Sequence, residues 1–196
     1  MEKMYEEAKE EGVKKEKELD EYQHNFTDKD SRIMKAGNGE HFEQSYNAQA
    51  VVDTEGSMLI LGGYVTQNAN DKKEMVPAAA SVDKEVRETT TICFDTGFYS
   101  EEAVAEVENK NEEGEREGPE VFCATEKGHH GKTVEDLKDK GPRGRPPADM
   151  SAKEEMARKL KTQRGKEIYK KRKETVEPVF GIIKSIRGSG NLCCVG

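Results

Sequence analysis

An apolar stripe near the C-terminus is the sequence feature that most constrains the fold. It lies in and just after residues 169–184, YKKRKETVEPVFGIIK. Four aliphatic residues recur there at i, i+3, i+4 and i+7, the spacing of one helix face: Val179, Ile182, Ile183 and Ile186. Because successive helical residues are about 100° apart, Glu177 and Lys184 are predicted to lie together on roughly the opposite side. The segment is therefore predicted to bury its aliphatic face and to carry an acid and a lysine away from the core.

The residues alone leave two interpretations of Glu177 and Lys184 open. The pair forms part of a site, or it consists of ordinary solvated charges on an amphipathic helix, which is the more common situation. Pro178 bears on where the helix begins, because proline suits the first helical turn and disfavours helix in the residue before it. Glu177 is therefore predicted at the start of the helix.

The composition predicts a small core. Of the 196 residues only 33% are apolar, 37% are charged, and tryptophan is absent. These proportions fit a compact middle with poorly packed ends. No apolar run approaches the roughly 20 residues of a membrane span, and the N-terminus has no signal-peptide core. A cytoplasmic protein without a membrane partner is expected.

Charge is divided unevenly along the chain. Residues 1–128 contain 31 acidic and 15 basic residues, whereas residues 129–196 contain 9 acidic and 17 basic residues. A basic C-terminal third is suited to phosphate groups, so nucleic acid stays open as a partner. Uneven charge also occurs in soluble proteins that bind no nucleic acid.

The middle of the chain predicts a β-hairpin followed by a helix. In residues 46–53 (YNAQAVVD) one side of an alternating strand is apolar: Tyr46, Ala48, Ala50 and Val52. A TEG turn and a second apolar run at residues 57–65 complete the hairpin. Residues 66–71 offer helix caps, and Pro77 marks either the start of the following helix or a kink in it.

A second strand–helix unit ends its strand on an acid. Residues 89–94 (TTTICF) predict a buried strand, which Asp95 follows, and a helix is predicted over about residues 101–109. A carboxylate in this position is typical of a catalytic acid and equally typical of a helix cap. Both interpretations are open on the residues alone. A short further strand is predicted at residues 121–124.

The two ends of the chain are predicted to be less compact. Residues 1–24 predict an exposed, charged helix, and residues 25–39 predict a loop in which Asp28 and Asp30 form a turn. Near the C-terminus, Ser151 and Glu154 form a capping-box pattern, which predicts a helix running on through residue 173.

Five segments together resemble the catalytic domain of bacterial and archaeal insertion-sequence DDE transposases, which have an RNase H-like fold. They are TDKDSRIMK (27–35), YNAQAVVD (46–53), VTQNANDKKEMVP (65–77), FDTGFYSEE (94–102) and YKKRKETVEPVFGIIKSIRG (169–188). The resemblance implies an α/β fold, a mixed sheet flanked by helices. It divides the chain into a charged helical segment (1–26), a partial catalytic domain (27–188) and a divergent tail (189–196).

The resemblance also implies DNA transposition by metal-dependent cleavage and joining of phosphodiesters. In the family three carboxylates bind two Mg²⁺ or Mn²⁺ ions, which activate the attacking oxygen and stabilise the leaving oxygen. Asp95 matches the second acid and Glu177 the third, so both are expected to be catalytic and to bind metal. Four residues are expected to hold transposon ends by their phosphates: Tyr169, Arg172, Lys173 and Lys184. Lys173 is included because Arg172 lies one residue further from Glu177 than in the usual pattern. A homodimer is a further expectation.

One part of the family pattern has no counterpart in this sequence. The first acid belongs to a core strand upstream of residues 27–35, and none of Asp20, Asp28, Asp30 or Asp53 follows such a strand in the required place. An incomplete RNase H-like fold that lacks its first core strand is therefore expected. Strand cleavage is expected to be lost, which makes the chain an inactive fragment. The alternative is a non-catalytic, DNA-binding or oligomerising regulatory remnant.

Overall fold

The computed structural model describes residues 6, 9–10, 25–36, 41–85, 88–111, 115–126, 141–147 and 149–186. Most of the predicted N-terminal helix lies outside the described residues, although positions 6, 9 and 10 are helical. The tail at 189–196 also lies outside them, and so does the side chain of Lys184.

The described residues form six strands and four α-helices in a mixed α/β order. The strands are β1 (Arg32–Ala36), β2 (His41–Ser45), β3 (Asn47–Val52), β4 (Ile60–Thr66), β5 (Thr91–Phe94) and β6 (Glu120–Cys123). The helices are α1 (Met75–Ala80), α2 (Glu101–Glu108), α3 (Ala152–Lys161) and α4 (Gln163–Ile186). The predicted mixture of strands and helices is confirmed.

The strands pair in three separate two-stranded ladders within the described residues. Antiparallel ladders join β1 to β2 and β3 to β4, and a parallel ladder joins β5 to β6. The single mixed sheet that was expected is therefore not observed there, because no described strand bridges β3 and β5. In the described residues, each of these two strands is paired along one edge and unpaired along the other.

The β1–β2 hairpin is a correction to the predicted loop at residues 25–39. Arg32 pairs with Ser45 and Ala36 with His41. The loop prediction is right only for the preceding turn, where the Asp28 carboxylate accepts a hydrogen bond from the Asp30 amide. The strand was missed because its five residues, RIMKA, lack a clear alternation.

The β3–β4 hairpin and α1 confirm the order of elements predicted for residues 46–80. Asp53 closes the turn of the hairpin by accepting hydrogen bonds from Glu55 and Ser57. Asn70 caps a single 3-10 turn at Asp71–Lys73, and α1 follows it. Pro77 lies in the first turn of α1, so it marks the start of the helix and not a kink.

The apolar core lies where β5 and β6 meet the helices. Its buried members are Met75, Ala78, Ile92, Phe94, Phe98, Val107, Val121, Cys123 and Met156. All four residues of β6 are buried, as expected for a strand covered on both faces. Ser100 caps α2, and Asn109 ends it in the left-handed conformation.

The C-terminal helix is two helices, which corrects the prediction of one helix from Ser151 to residue 173. The capping box of Ser151 and Glu154 is present at the start of α3. The chain then becomes extended at Thr162, and α4 begins at Gln163. The break brings Gly165 onto the end of α3, where a β-carbon would lie 2.1 Å from the carbonyl oxygen of Lys159. A larger residue does not fit this close approach.

An ion network ties α3 and the start of α4 to β6. The ammonium of Lys159 lies 3.3 Å from carboxylate oxygens of both Glu108 and Glu120 and donates a 2.7 Å hydrogen bond to the Val121 carbonyl. The Arg164 guanidinium pairs with Glu120 through two hydrogen bonds. Two cations of the basic C-terminal third therefore hold the fold together.

The inward face of α4 differs from the predicted stripe. Val179 and Phe180 are buried, but Ile182 is 49% exposed. At about 100° per residue, Ile182 lies about 110° from the midpoint between the two buried residues. The prediction that Pro178 opens the helix is also wrong, because α4 is continuous from Gln163 to Ile186.

Candidate active site

Asp95 lies at the carboxyl end of β5, as the sequence predicted. It caps the 3-10 turn Thr96–Phe98, and its carboxylate accepts a 2.8 Å hydrogen bond from the Thr96 amide. The side chain nevertheless keeps 39% of its surface exposed. A capping role is therefore observed, and the carboxylate also stays accessible from the cleft beside β5.

Arg172 of α4 faces Asp95. Its terminal nitrogen lies 3.7 Å from Asp95 Oδ1, and its side chain is 12% exposed. The guanidinium carbon lies 5.1 Å from the centre of the Tyr169 ring, so the two side chains stack. Arg172 Nε is buried and has no hydrogen-bond partner among the described residues. Three predicted site residues, Asp95, Tyr169 and Arg172, are thus brought together. Among the described residues, the Nε donor of Arg172 has no acceptor.

Tyr169 is half-buried beside this pair. Burial raises the pKa of its hydroxyl to about 12, although the nearby Arg172 charge acts in the opposite direction. The hydroxyl is therefore neutral near pH 7. Tyr169 and Arg172 both line the inner side of α4, whereas Lys173, the other predicted phosphate contact on this turn, is exposed.

A buried acid that the sequence interpretation missed lies next to Asp95. The side-chain amides of Asn47 and Gln49 donate hydrogen bonds of 2.9 and 2.8 Å to Asp71 Oδ1. Burial raises the pKa of Asp71, and the negative charge of Asp95 adds to the increase. A β-carbon on Gly97 would lie 3.3 Å from Asp71 Oδ2, so Asp71 sits directly against the turn that follows Asp95.

The alternation of β3 contained the signal for this acid, but its faces were assigned the wrong way round in the first half of the strand; Val52, after a β-bulge, is buried as predicted. Asn47 and Gln49 are buried, while Ala48 and Ala50 are only partly buried. Buried amides need polar partners, and Asp71 supplies the acceptor. The sequence did contain a signal for this buried acid. It consists of two amides at alternate positions of a predicted strand and the later segment Asn-Ala-Asn-Asp at residues 68–71.

A cleft of about 520 Å³ separates β3 from β5 in the structure. Asp95, Lys171 and Arg172 line one part of it. Cys93, which lies in β5, also lines it and is partly exposed. The candidate site is therefore one part of a cleft lined by residues of β3, β5 and α4.

The Cys93 thiol is expected to react slowly. Burial raises its pKa from 9.0 to about 11, although three nearby cations oppose the shift. Since the thiolate is the nucleophile, alkylation of the folded chain at pH 8 should be about one hundredfold slower than for a thiol with pKa 9.0. Mass-spectrometric mapping of iodoacetamide labelling measures the rate, and urea-unfolded chain is the control. Labelling of Cys93 at the same rate in both samples would contradict the described burial.

Glu177 is not brought to Asp95 by this arrangement. It lies in mid-helix, is exposed, and is about 140° further round α4 than Arg172. The exposed position agrees with the solvated-charge interpretation of the residues. Lys184 lies in the last turns of α4.

The described residues do not assemble the donor set that the resemblance implies for Mg²⁺ or Mn²⁺. Within the described part of the chain no group of three or more His, Cys, Asp or Glu could hold a metal ion. Asp95 faces a guanidinium, and Glu177 faces solvent. The arrangement does not fit a two-metal site, so no catalytic step through a metal ion follows from it.

Comparison with known protein families gives a match. The family model described as "Transposase DDE domain" matches residues 12–196, which is nearly the whole chain. Neither the curated proteins nor the solved structures give a match. In the described residues no helix is both long and apolar enough to cross a membrane.

Proposed function

Because the chain belongs to the transposase DDE-domain family, we propose that it is a DNA transposase domain that binds transposon-end DNA but does not cleave it. The observation that carries the proposal is the family match over residues 12–196. The mixed α/β fold, with Asp95 at the end of a buried strand and a basic helix beside it, is consistent with an RNase H-like domain of this family.

The proposed DNA contacts lie on the outer side of α4. Lys166, Lys170 and Lys173 are exposed and lie at i, i+4 and i+7 on one side of this helix, although Lys170 also pairs with Glu174 at 3.1 Å. Lysines in such a row suit a phosphate backbone, because each can neutralise one phosphate without reading sequence. Lys171 and Arg172 line the cleft instead, and Tyr169 packs against Arg172, so a DNA end that entered the cleft would meet the two cations.

The proposed lack of cleavage rests on the two acids. A two-metal phosphodiester reaction needs several carboxylates converging on the same ions. Here Asp95 has a guanidinium 3.7 Å away, and Glu177 is turned to solvent. The chain as described is therefore proposed not to cleave DNA.

DNA binding by the chain is expected to weaken steeply with salt. Each phosphate neutralised contributes about −0.9 to the slope of log K against log salt for duplex DNA. Fluorescence anisotropy of a labelled duplex from the chain's own flanking DNA, between low and moderate salt, measures the slope. We expect a slope of about −3 if three lysines make contacts. A flat anisotropy across the titration at low salt would refute DNA binding.

The alternative function, a regulatory remnant, is favoured by one observation: Asp95 pairs with Arg172, while the neighbouring acid Asp71 is bound by two side-chain amides. Such a remnant binds the same ends and competes with an active relative. Adding the purified chain to a cleavage reaction of a full-length relative distinguishes the two roles. Inhibition at stoichiometric concentration supports the regulator, and an unchanged rate rejects it.

A further inference from the structure

We propose that the loop at residues 142–146 binds the minor groove of A·T-rich duplex DNA, with Arg143 and Arg145 inserted into the groove. The inference rests on the proposed function, because it adds a sequence preference to the DNA binding proposed above. In this arrangement the lysines of α4 supply affinity for phosphates, and the loop supplies selectivity for the groove.

The loop has a symmetric, purely cationic sequence. Residues 142–146 read Pro-Arg-Gly-Arg-Pro, so two arginines flank Gly144 and two prolines enclose them. Residues 141–147 contain no acid. Arg143 and Arg145 are exposed, and among the described residues neither forms an ion pair. Their two charges are therefore available to an anionic partner.

The loop is fixed to α3 through its backbone. Arg158 of α3 donates hydrogen bonds of 2.9 and 3.3 Å to the carbonyl oxygens of Arg143 and Gly144. Gly141 packs against the carbonyl of Lys161 at the end of α3, where an added β-carbon would collide with that oxygen. Because these contacts use main-chain groups of the loop, they leave both exposed guanidiniums available. A loop that is ordered before binding loses less conformational entropy when it binds.

The backbone of the loop suits a narrow groove. Gly144 has a φ of +80°, a conformation that favours glycine, and a β-carbon added there would meet nothing within 4 Å. The backbone at Gly144 can therefore approach the floor of a groove closely. Proline fixes φ at Pro142 and Pro146, and Pro146 also favours an extended conformation at Arg145. A thin, extended segment fits a groove about 6 Å wide, whereas a helix requires the major groove.

The chemistry of two arginines selects A·T pairs. The minor groove of A·T tracts is narrow and has an enhanced negative potential, which attracts inserted arginines. G·C pairs add the 2-amino group of guanine to the same groove, and this donor opposes the guanidinium donors. The guanidinium is more weakly hydrated than the ammonium of lysine, so it loses less hydration on entering the groove. Residues two apart are separated by at most about 7 Å, which corresponds to about two base-pair steps.

Duplex DNA fits the loop better than duplex RNA. The minor groove of an A-form RNA helix is wide and shallow, so it lacks the narrow slot that an extended Pro-Arg-Gly-Arg-Pro segment fills. Contact with phosphates alone requires neither the flanking prolines nor the open glycine. The features of the loop therefore indicate the groove of DNA and not its backbone.

The first test compares duplexes that differ in the groups exposed in the minor groove. The complete 196-residue chain is titrated, by fluorescence anisotropy, against labelled duplexes of equal length whose centre reads AATT or GGCC. We expect about tenfold tighter binding to AATT. Inosine in place of guanine removes the 2-amino group and should restore most of the lost affinity, whereas 2,6-diaminopurine in place of adenine adds the group and should abolish the preference. Equal affinity for AATT and GGCC, or no effect of either modified base, would overturn the inference.

The second test keeps the charge of the loop and changes only its chemistry. In the double variant Arg143→Lys with Arg145→Lys, the ratio of the AATT and GGCC affinities should fall from about tenfold to less than about twofold. The control is Lys170→Glu with Lys173→Glu on α4, which should weaken binding to both duplexes and leave their ratio near tenfold. Urea denaturation checks that each variant folds like wild type. An unchanged ratio in the Arg→Lys variant would overturn the role of the two arginines.

The outcomes separate this inference from the proposed function. If the chain binds both duplexes equally and with a steep salt dependence, the proposed phosphate contacts of α4 stand and the loop inference fails. If it binds neither duplex at low salt, both proposals fail. If it binds an RNA duplex of matching sequence as tightly as AATT, the loop recognises charge and not the narrow groove of DNA, and the inference is overturned.

Discussion

Replacing Glu120 by glutamine is expected to lower the free energy of unfolding by about 3 kcal/mol at pH 7, since removing one partner of a buried ion pair leaves the other charges uncompensated. Glu120 is only 8% exposed and lies against Lys159, Arg164 and Arg116. Glutamine keeps the shape but not the charge, so three cations would share the neighbourhood of β6 with Glu108 alone. The expected result is looser attachment of α3 and α4.

The loss should depend on pH in a defined direction. Burial alone would raise the pKa of Glu120, but the Arg164 hydrogen bonds and the Lys159 charge outweigh burial and lower the pKa to about 2. A carboxyl whose folded pKa is depressed stabilises the fold above its unfolded pKa of about 4.3, and the stabilisation is lost as pH falls towards 2. The difference between wild type and Glu120→Gln should therefore be full at pH 7 and should shrink between about pH 5 and pH 2.

Urea denaturation followed by circular dichroism at several pH values measures this difference. Glu106→Gln is the matched control, because Glu106 is exposed on α2. The control should change the unfolding free energy by less than about 0.5 kcal/mol. Equal effects of the two variants at pH 7, or a difference that does not change with pH, would show that the ion network does not hold the helices.

Reversing two charges on α4 is expected to have the largest effect on DNA binding. In the double variant Lys170→Glu with Lys173→Glu, two exposed lysines become acids on the side proposed to meet phosphates. We expect the dissociation constant to rise about 10- to 100-fold at low salt and the salt slope to fall by about 2. The reason is the loss of two released counterions, with added repulsion between the new carboxylates and the phosphates.

A second double variant separates a local contact from a change in net charge. Lys73→Glu with Lys84→Glu changes the same net charge at exposed positions near α1, away from the basic C-terminal third. It should alter the affinity only a few fold. If both double variants lose affinity equally and keep the same salt slope, the DNA contact is not on α4.

The parts of the fold that sequence predicted are those determined by neighbouring residues. The β3–β4 hairpin, the strand before Asp95 and the Ser151 capping box all depend on residues within one turn or one strand of each other. Pro77 likewise fixes its helix start locally. These features need no knowledge of what packs against them.

The parts that sequence did not predict depend on distant partners. Asn47 is buried because Asp71, 24 residues away, accepts its hydrogen bond. Arg164 pairs with Glu120, which is 44 residues away in the sequence. This arginine therefore stabilises the fold, whereas the composition had suggested nucleic acid as the partner of the basic C-terminal third. The rotation of α4, which buries Phe180 and exposes Ile182, is likewise set by the strands beneath it. Spacing along the chain does not contain this information.

The pairing of Asp95 with Arg172 also joins residues that are distant in the sequence. Of these unpredicted contacts, it is the one most relevant to function. The residues were predicted for separate roles, one in metal binding and one in phosphate binding. Their side chains lie 3.7 Å apart, so each partly neutralises the other. An acid that is paired with a guanidinium, and whose neighbouring carboxylate Asp71 is held by two amides, is poorly suited to recruit a divalent cation.

The most direct test of a DNA-binding but non-cleaving transposase domain is a nicking assay. The purified chain is incubated with Mg²⁺ or Mn²⁺ and a supercoiled plasmid that carries its coding sequence with the flanking DNA, and conversion to open circles is measured on a gel. Wild type, Asp95→Ala and Glu177→Ala are predicted to give the same background as protein-free plasmid, while a gel shift shows that wild type binds. Metal-dependent nicking by wild type that Glu177→Ala abolishes would contradict the account.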